Sequence, residues 1–217
     1  MTLLDFARGP ALQWSLIIFV AGVMWRLVGS LLFMARKDLA KARHTGRTMD
    51  GLTAIATRSI PAHQFEKRIR FQHYSGYVWH ISMFVAVLFF APHILFFESL
   101  LSFSWPNLPN TIILISAAIT LAILIALTIR RATNPVMRKI SNADDYISAL
   151  LLIVPLVTGM LAFAHIGARY ETMLAIHLLS VEAMLIWFPF GKLMHTALVL
   201  PSRFQAGATF GRRGVKA

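Results

Sequence analysis

The chain has 217 residues, 57% of them hydrophobic, and its 21 Lys and Arg against 9 Asp and Glu give a net charge of +12 at pH 7. So much apolar surface exceeds what a soluble core of this size needs, and the longest apolar runs reach the ~20 residues that span a hydrocarbon layer. Because there are no cysteines, disulfides, zinc–thiolate sites and an iron–sulfur cluster held by this chain alone are excluded, and any metal must be held by His, Met or carboxylate.

From Met1 to Pro10 the chain carries Asp5 and Arg8 and has neither a basic leader nor a small-residue cleavage signature, so no removable signal peptide is expected. Hydropathy then predicts helices at about 12–35, 74–101, 110–130, 146–166 and 171–199. Only helices satisfy the backbone in lipid at this length, so the expected fold is all-α, an integral membrane five-helix bundle forming a single membrane domain over residues 1–217. Pro106 and Pro109 mark the turn after the second helix, Asn134-Pro135 the turn after the third, and Gly167 the turn before the fifth. Residues 36–72 read as a basic loop or amphipathic stretch and residues 200–217 as a basic tail.

Charge predicts orientation. Arg36, Lys37, Lys41, Arg43, Arg47, Arg58, Lys67, Arg68 and Arg70 fall in the first loop; Arg130, Arg131, Arg138 and Lys139 follow the third helix; Arg203, Arg212, Arg213 and Lys216 lie in the tail. The opposite side has only Arg8 and Arg169. The positive-inside rule places the N-terminus outside and the C-terminus in the cytoplasm. Contact with anionic lipid or an acidic soluble partner suits these charges, whereas a nucleic-acid site would interleave aromatics with them, and the tail does not.

Four histidines fall inside the apolar segments: His80 and His93 in the second, His177 and His195 in the fifth. On the predicted topology, depth pairs His80 with His195 toward the cytoplasm and His93 with His177 toward the exterior. Helical rise separates them by roughly 20 Å on the second helix and roughly 27 Å on the fifth, which leaves room for two macrocycles. Eighteen residues make five turns and put His177 and His195 on one face of a continuous helix, while thirteen leave His80 and His93 about 140° apart. Pro92, directly before His93, predicts a bend that swings His93 back. A lone intramembrane histidine commonly bridges helices by hydrogen bonding, but four in two depth-matched pairs point to two haems b with axial imidazoles.

The remaining polar residues keep alternatives open. His73, seven residues before His80 and nearly in phase with it, either contacts a haem propionate at the interface or replaces His80 as ligand. His44 and His63 are loop residues, and His165, ending the fourth helix, stands at a quinone entrance or has no role. Arg26 and Glu182 fall toward mid-membrane, where a charge must be paired, so a mutual ion pair or an Arg26–propionate contact is expected. Lys192 and Arg130 are further propionate contacts or snorkel to phosphate.

The run Trp187-Phe188-Pro189-Phe190-Gly191-Lys192-Leu193-Met194-His195, with His177 eighteen residues before its end, resembles the last helix of the gamma subunit of respiratory nitrate reductase, a five-helix dihaem cytochrome b. Relatives of that family are the membrane cytochromes of heterodisulfide reductase and of the dissimilatory sulfite-reduction complex. The likeness runs from the second helix onward and takes in Asp144-Asp145-Tyr146; it departs in the second helix, where the nitrate-reductase pattern has a shorter interval between its histidines. The resemblance implies that His80 and His195 ligate an inner haem, and His93 and His177 an outer one. It also implies a quinone site beside the outer haem, where His93, Pro92 and Glu98 gather, although Glu98 reads equally as a solvated helix-end acid. With one His93 nitrogen on iron, the other is expected to meet the quinone.

Haems with two axial imidazoles have no open position for a substrate and pass electrons. The expected function is electron transfer, in either direction, between quinone and a cytoplasmic iron–sulfur or catalytic subunit docked on the basic loop and tail, with a periplasmic cytochrome c subunit as a further partner, in a bacterial or archaeal cytoplasmic membrane. The competing reading is a structural membrane anchor without redox cofactors. A proton-coupled transporter would need inverted repeats and paired broken helices, which the sequence does not display.

Overall fold

The computed structural model describes residues 1–34, 41–43, 46–61 and 63–215. Arg36, Lys37, His44 and Lys216 lie outside the described residues. Helix is the one regular secondary structure that the described residues form. Helix α1 (Leu12–Met34) is approached through a helical turn at Leu3–Phe6, boxed by Thr2 and Asp5, and a π turn at Ala7–Ala11 in which Gly9 departs from helical geometry beside Pro10. Then follow α2 (Arg47–Thr57), α3 (His63–Leu88), α4 (Ala91–Leu101), α5 (Asn110–Thr133), α6 (Ala143–Ala164), α7 (Tyr170–Trp187) and α8 (His195–Arg212).

Among the described residues, four helices are long and apolar enough to cross a membrane: Leu3–Phe33, Asn110–Thr133, Ala143–Ala164 and Tyr170–Trp187. Helices α3 and α4, bent by 67° at a short break, make a fifth crossing if they are one broken span. The chain divides into two compact units, one of Met1–Leu12 with Arg70–Met184 and one of Gln13–Ile69 with Leu185–Ala217.

In the first unit α5 and α6 pack side by side. Helix α5 buries Ile113, Ser116, Ala117, Thr120 and Leu124, and α6 buries Ser148, Pro155, Thr158 and Ala162, sets that each recur at three- and four-residue steps and so share a face. Small and hydroxylated residues suit such a seam because they let helices approach and satisfy their hydroxyls on the preceding turn, as Thr120 does on Ser116 O at 2.8 Å. The turn between them is strongly capped. Asn134 accepts from Val136 N and Met137 N, Asn142 and Asp145 form a capping box, and Arg131 reaches Asp145 at 3.1 Å. Asp144 accepts from Ser148 Oγ at 2.8 Å, so the Asp144-Asp145 pair that carried part of the family resemblance serves here to start α6.

In the second unit Arg47–Thr57 of the basic loop and the start of the basic tail, read separately in the sequence, are packed on each other as α2 and α8. Gly207 lies against Ala54 and the Asp50 carbonyl, Gly211 against the Asp50 carboxyl, and the Phe204 ring covers Gly51. Side chains at these glycines would hold the axes apart. Arg203 donates to Ser59 Oγ at 2.9 Å and the Arg58 guanidinium lies 5.8 Å from the Phe210 ring centre.

The fifth predicted helix, 171–199, is not continuous. Helix α7 ends at Trp187, a 3-10 turn covers Lys192–Met194, and α8 starts at His195. Pro189 explains the end, since it has no N–H and disfavours helical geometry at Phe188. Pro189 would have served Leu185 O, while the Trp187 carbonyl is taken by Phe190 N and Gly191 N, both at 3.0 Å. Pro189 is fully buried, and a Cβ added at Gly22 would stand 2.5 Å from its Cγ. The shared-face argument for His177 and His195 therefore fails: they belong to different helices and different units.

Candidate functional site

The predicted bend in the second histidine helix is present, and its construction decides where His93 goes. In a helix each carbonyl is taken by the N–H four residues on. At the break, Leu88 O would need Pro92, which has no N–H, and His93 N turns instead to Phe90 O at 3.0 Å. Phe90 is extended (φ −82, ψ 126), and Pro92 falls within the first two residues of α4, where a missing N–H is tolerated. Three consecutive carbonyls receive donors from outside the ladder. His93 Nδ1 donates to Val87 O at 3.0 Å, Trp105 Nε1 to Leu88 O at 2.6 Å, and Leu108 N to Phe89 O at 3.0 Å.

So placed, the His93 ring faces that of His177, with centroids 6.3 Å apart and planes 18° apart. His177, half-buried on α7, directs Nδ1 at Pro155 O (3.1 Å) and lies 3.3 Å from Thr158 Oγ1, which is 3.2 Å from Ser180 Oγ. Gly159 makes room for the ring: a Cβ there would stand 2.9 Å from His177 Cε1. Because a carbonyl can only accept, Nδ1 carries the hydrogen on both rings and Nε2 holds the lone pair, the state in which imidazole binds a metal. Two imidazoles so placed, each with Nδ1 held on a carbonyl, make a donor set that would hold a metal.

The expected quinone contact of His93 needs a free ring nitrogen, and its Nδ1 is taken up by Val87 O. The acid near this end is Glu98, exposed on α4, while Pro92 is exposed beside the bend.

The other histidines are placed as follows. His80, half-buried on α3, directs Nδ1 to Gly76 O at 2.6 Å and stacks on Trp79. His195 is exposed at the start of α8 with Nδ1 on Lys192 O at 2.7 Å. They lie in different units. His73 packs edge-on against Tyr74 and Tyr77. His165 takes a left-handed backbone (φ 57) that ends α6 and stacks on Tyr170, and His63 starts α3.

Of the charged candidates, Arg130 donates to Gln72 Oε1 at 2.9 Å and lies over the Phe71 ring, while Arg26 and Lys192 are exposed. Glu182 is 4% exposed and both of its carboxylate oxygens lack a hydrogen-bond partner among the described residues; Arg26 belongs to the other unit.

Sequence reasoning missed Pro155, Thr158, Gly159, Trp105 and Leu108. A signal existed for the first three, since a proline and a glycine four residues apart on one face of an apolar helix mark a place where another group comes close. None existed for Leu108, whose contribution is a backbone N–H.

No protein-family model matches the chain, and no solved structure matches it. A protein of Nitratidesulfovibrio vulgaris (strain Hildenborough), described only as a protein, is 28% identical over 214 residues, covering 96% of this chain and 94% of its own length. The likeness thus extends over nearly the whole of both chains.

Proposed function

We propose that the chain is a dihaem b-type cytochrome, the membrane subunit of a respiratory oxidoreductase that moves electrons between quinone and a soluble iron–sulfur or catalytic subunit. The observation that carries the reading is the His93–His177 pair, two near-parallel imidazoles at 6.3 Å with both Nδ1 atoms committed to carbonyls. His93 and His177 are the residues that would hold the iron of one haem. Haem b, when bound, supplies one-electron transfer without an open coordination site.

The chain's own residues then have separable tasks. Val87 O and Pro155 O orient the two rings and raise the basicity of the ligating nitrogens, and Gly159 leaves space for His177. His80 and His195 are each a candidate ligand for the second haem, with Nδ1 on a main-chain carbonyl. Glu98, with His93 committed, is the proton acceptor for quinol on the outer side. Arg26, Lys192, Arg130 and His73 are the propionate contacts. Lys67, Arg68 and Arg70 face the cytoplasm and dock the soluble partner, in the orientation that the positive-inside rule gives.

The test is a reduced-minus-oxidised spectrum of the purified chain with haem counted against protein. Two b-type haems per chain are expected. The second reading, a structural anchor, draws on the hydrogen bonds that tie His177 to Pro155 and Thr158 on α6, and a chain without a b-type band or extractable protohaem would remove the electron-transfer reading. Labelling of single cysteines placed in the 63–70 segment tests orientation, since the native chain has none to compete; labelling from the outside would reverse the topology.

A further inference from the structure

We propose that Trp105 is the positioning residue for His93: its indole N–H, held on Leu88 O, keeps the α3–α4 break in the geometry that sets the His93 ring beside His177. The inference rests on His93 being an iron ligand and extends that reading to a residue outside both histidine helices.

Pro92 leaves Leu88 O without its helical donor whatever the bend angle, and in hydrocarbon an unsatisfied carbonyl costs several kcal/mol. Something must take it. Trp105 does so at 2.6 Å, from the segment that also supplies Leu108 N to Phe89 O. The same indole stacks on Phe97 of α4, centroids 5.8 Å apart and planes 29° apart, and lies 5.5 Å from Phe103. Trp105 therefore grips both arms of the bend, α3 through a hydrogen bond and α4 through a ring face. His93 is the third residue of α4, and its own bond to Val87 O spans the same break. A change of angle between the arms moves the ring and strains that bond together. Phe90, edge-on to both His93 (5.1 Å) and Phe163 (5.7 Å), fills the inside of the bend without a donor, so it can support the angle but cannot satisfy the carbonyl.

Trp105→Phe keeps the ring stack and removes only the N–H. In the purified full chain we expect haem to fall from two per chain toward about one, with loss of the same spectral component that His177→Ala removes, because orienting partners of metal ligands are worth about 10–100-fold in affinity. Two haems with unchanged spectra and potentials would overturn the proposal. A second readout does not depend on haem. Spin labels on cysteines introduced at Val78 and Leu100, which are 44% and 51% exposed, report the distance across the bend in a chain with no other thiol. The distribution should broaden in Trp105→Phe, and an unchanged one overturns the proposal even where both haems are lost from the variant. A wild-type chain that binds no haem would defeat the proposed function, and the spin-label distance would still decide whether Trp105 sets the bend.

Discussion

Proline interrupts the two histidine-bearing segments in different ways. At Pro92 the chain resumes as a helix within two residues, bent by 67°, and its three freed carbonyls are taken by His93, Trp105 and Leu108. At Pro189 the carbonyl of Trp187 is taken locally by the next turn, and the chain runs through an extended Gly191 before α8 begins. The first break recruits the His93 side chain to its own repair and so couples backbone geometry to the placement of that ring. The second is buried against Gly22 and serves as a boundary. A proline in an apolar run thus announces a discontinuity, and the donors that reach the freed carbonyls decide whether it becomes a site or an end.

Four substitutions sharpen or break that contrast. The largest effect is expected for His177→Ala, which removes one axial ligand and should take away one of two haems, counted by pyridine haemochrome; retention of both would show that the facing pair is aromatic packing, which tolerates the same centroid spacing. Next is Gly159→Val, where even the Cβ would stand 2.9 Å from His177 Cε1. Overpacking of this kind costs about 1–3 kcal/mol, and it should perturb the spectrum lost in His177→Ala while leaving the other component unchanged.

Gly22→Ala addresses the other break. Its Cβ would meet Pro189 at 2.5 Å, so stability in detergent should fall by about 1–3 kcal/mol, read as a lower melting temperature, without change in the His177-dependent spectrum. A change in that spectrum would mean that the two breaks are not independent. The smallest effect is expected at a helix start with no break: Asn142→Ala removes the cap of α6 and should cost about 1 kcal/mol in a thermal melt with haem content intact.

Much of the helical plan was readable from residue order alone, for a reason specific to lipid. A bilayer leaves few ways to satisfy the backbone, so run length and apolarity suffice to locate helices. The third and fourth predicted segments, 110–130 and 146–166, agree with α5 and α6 to within a few residues. Prediction failed where hydropathy continues through a geometric stop. The segment 171–199 is apolar past Pro189, so composition sees one helix where the backbone makes two. It failed also at α2 and α8, whose partnership depends on small residues far apart in the chain, Gly51 and Ala54 against Gly207 and Gly211.

By itself the sequence determined the apolar segments, the absence of thiol chemistry, the sites of discontinuity at Pro92 and Pro189, and the four histidines available as ligands, because these follow from local composition and the fixed φ of proline. Only the tertiary structure decided that His93 meets His177, that both rings hold Nδ1 on carbonyls, and that Gly159 and Trp105 attend them. Those outcomes depend on which donor reaches a carbonyl from fifteen or twenty residues away, as Trp105 reaches Leu88 across a separation of 17, and such pairings are set by packing, not by the order of residues along one helix.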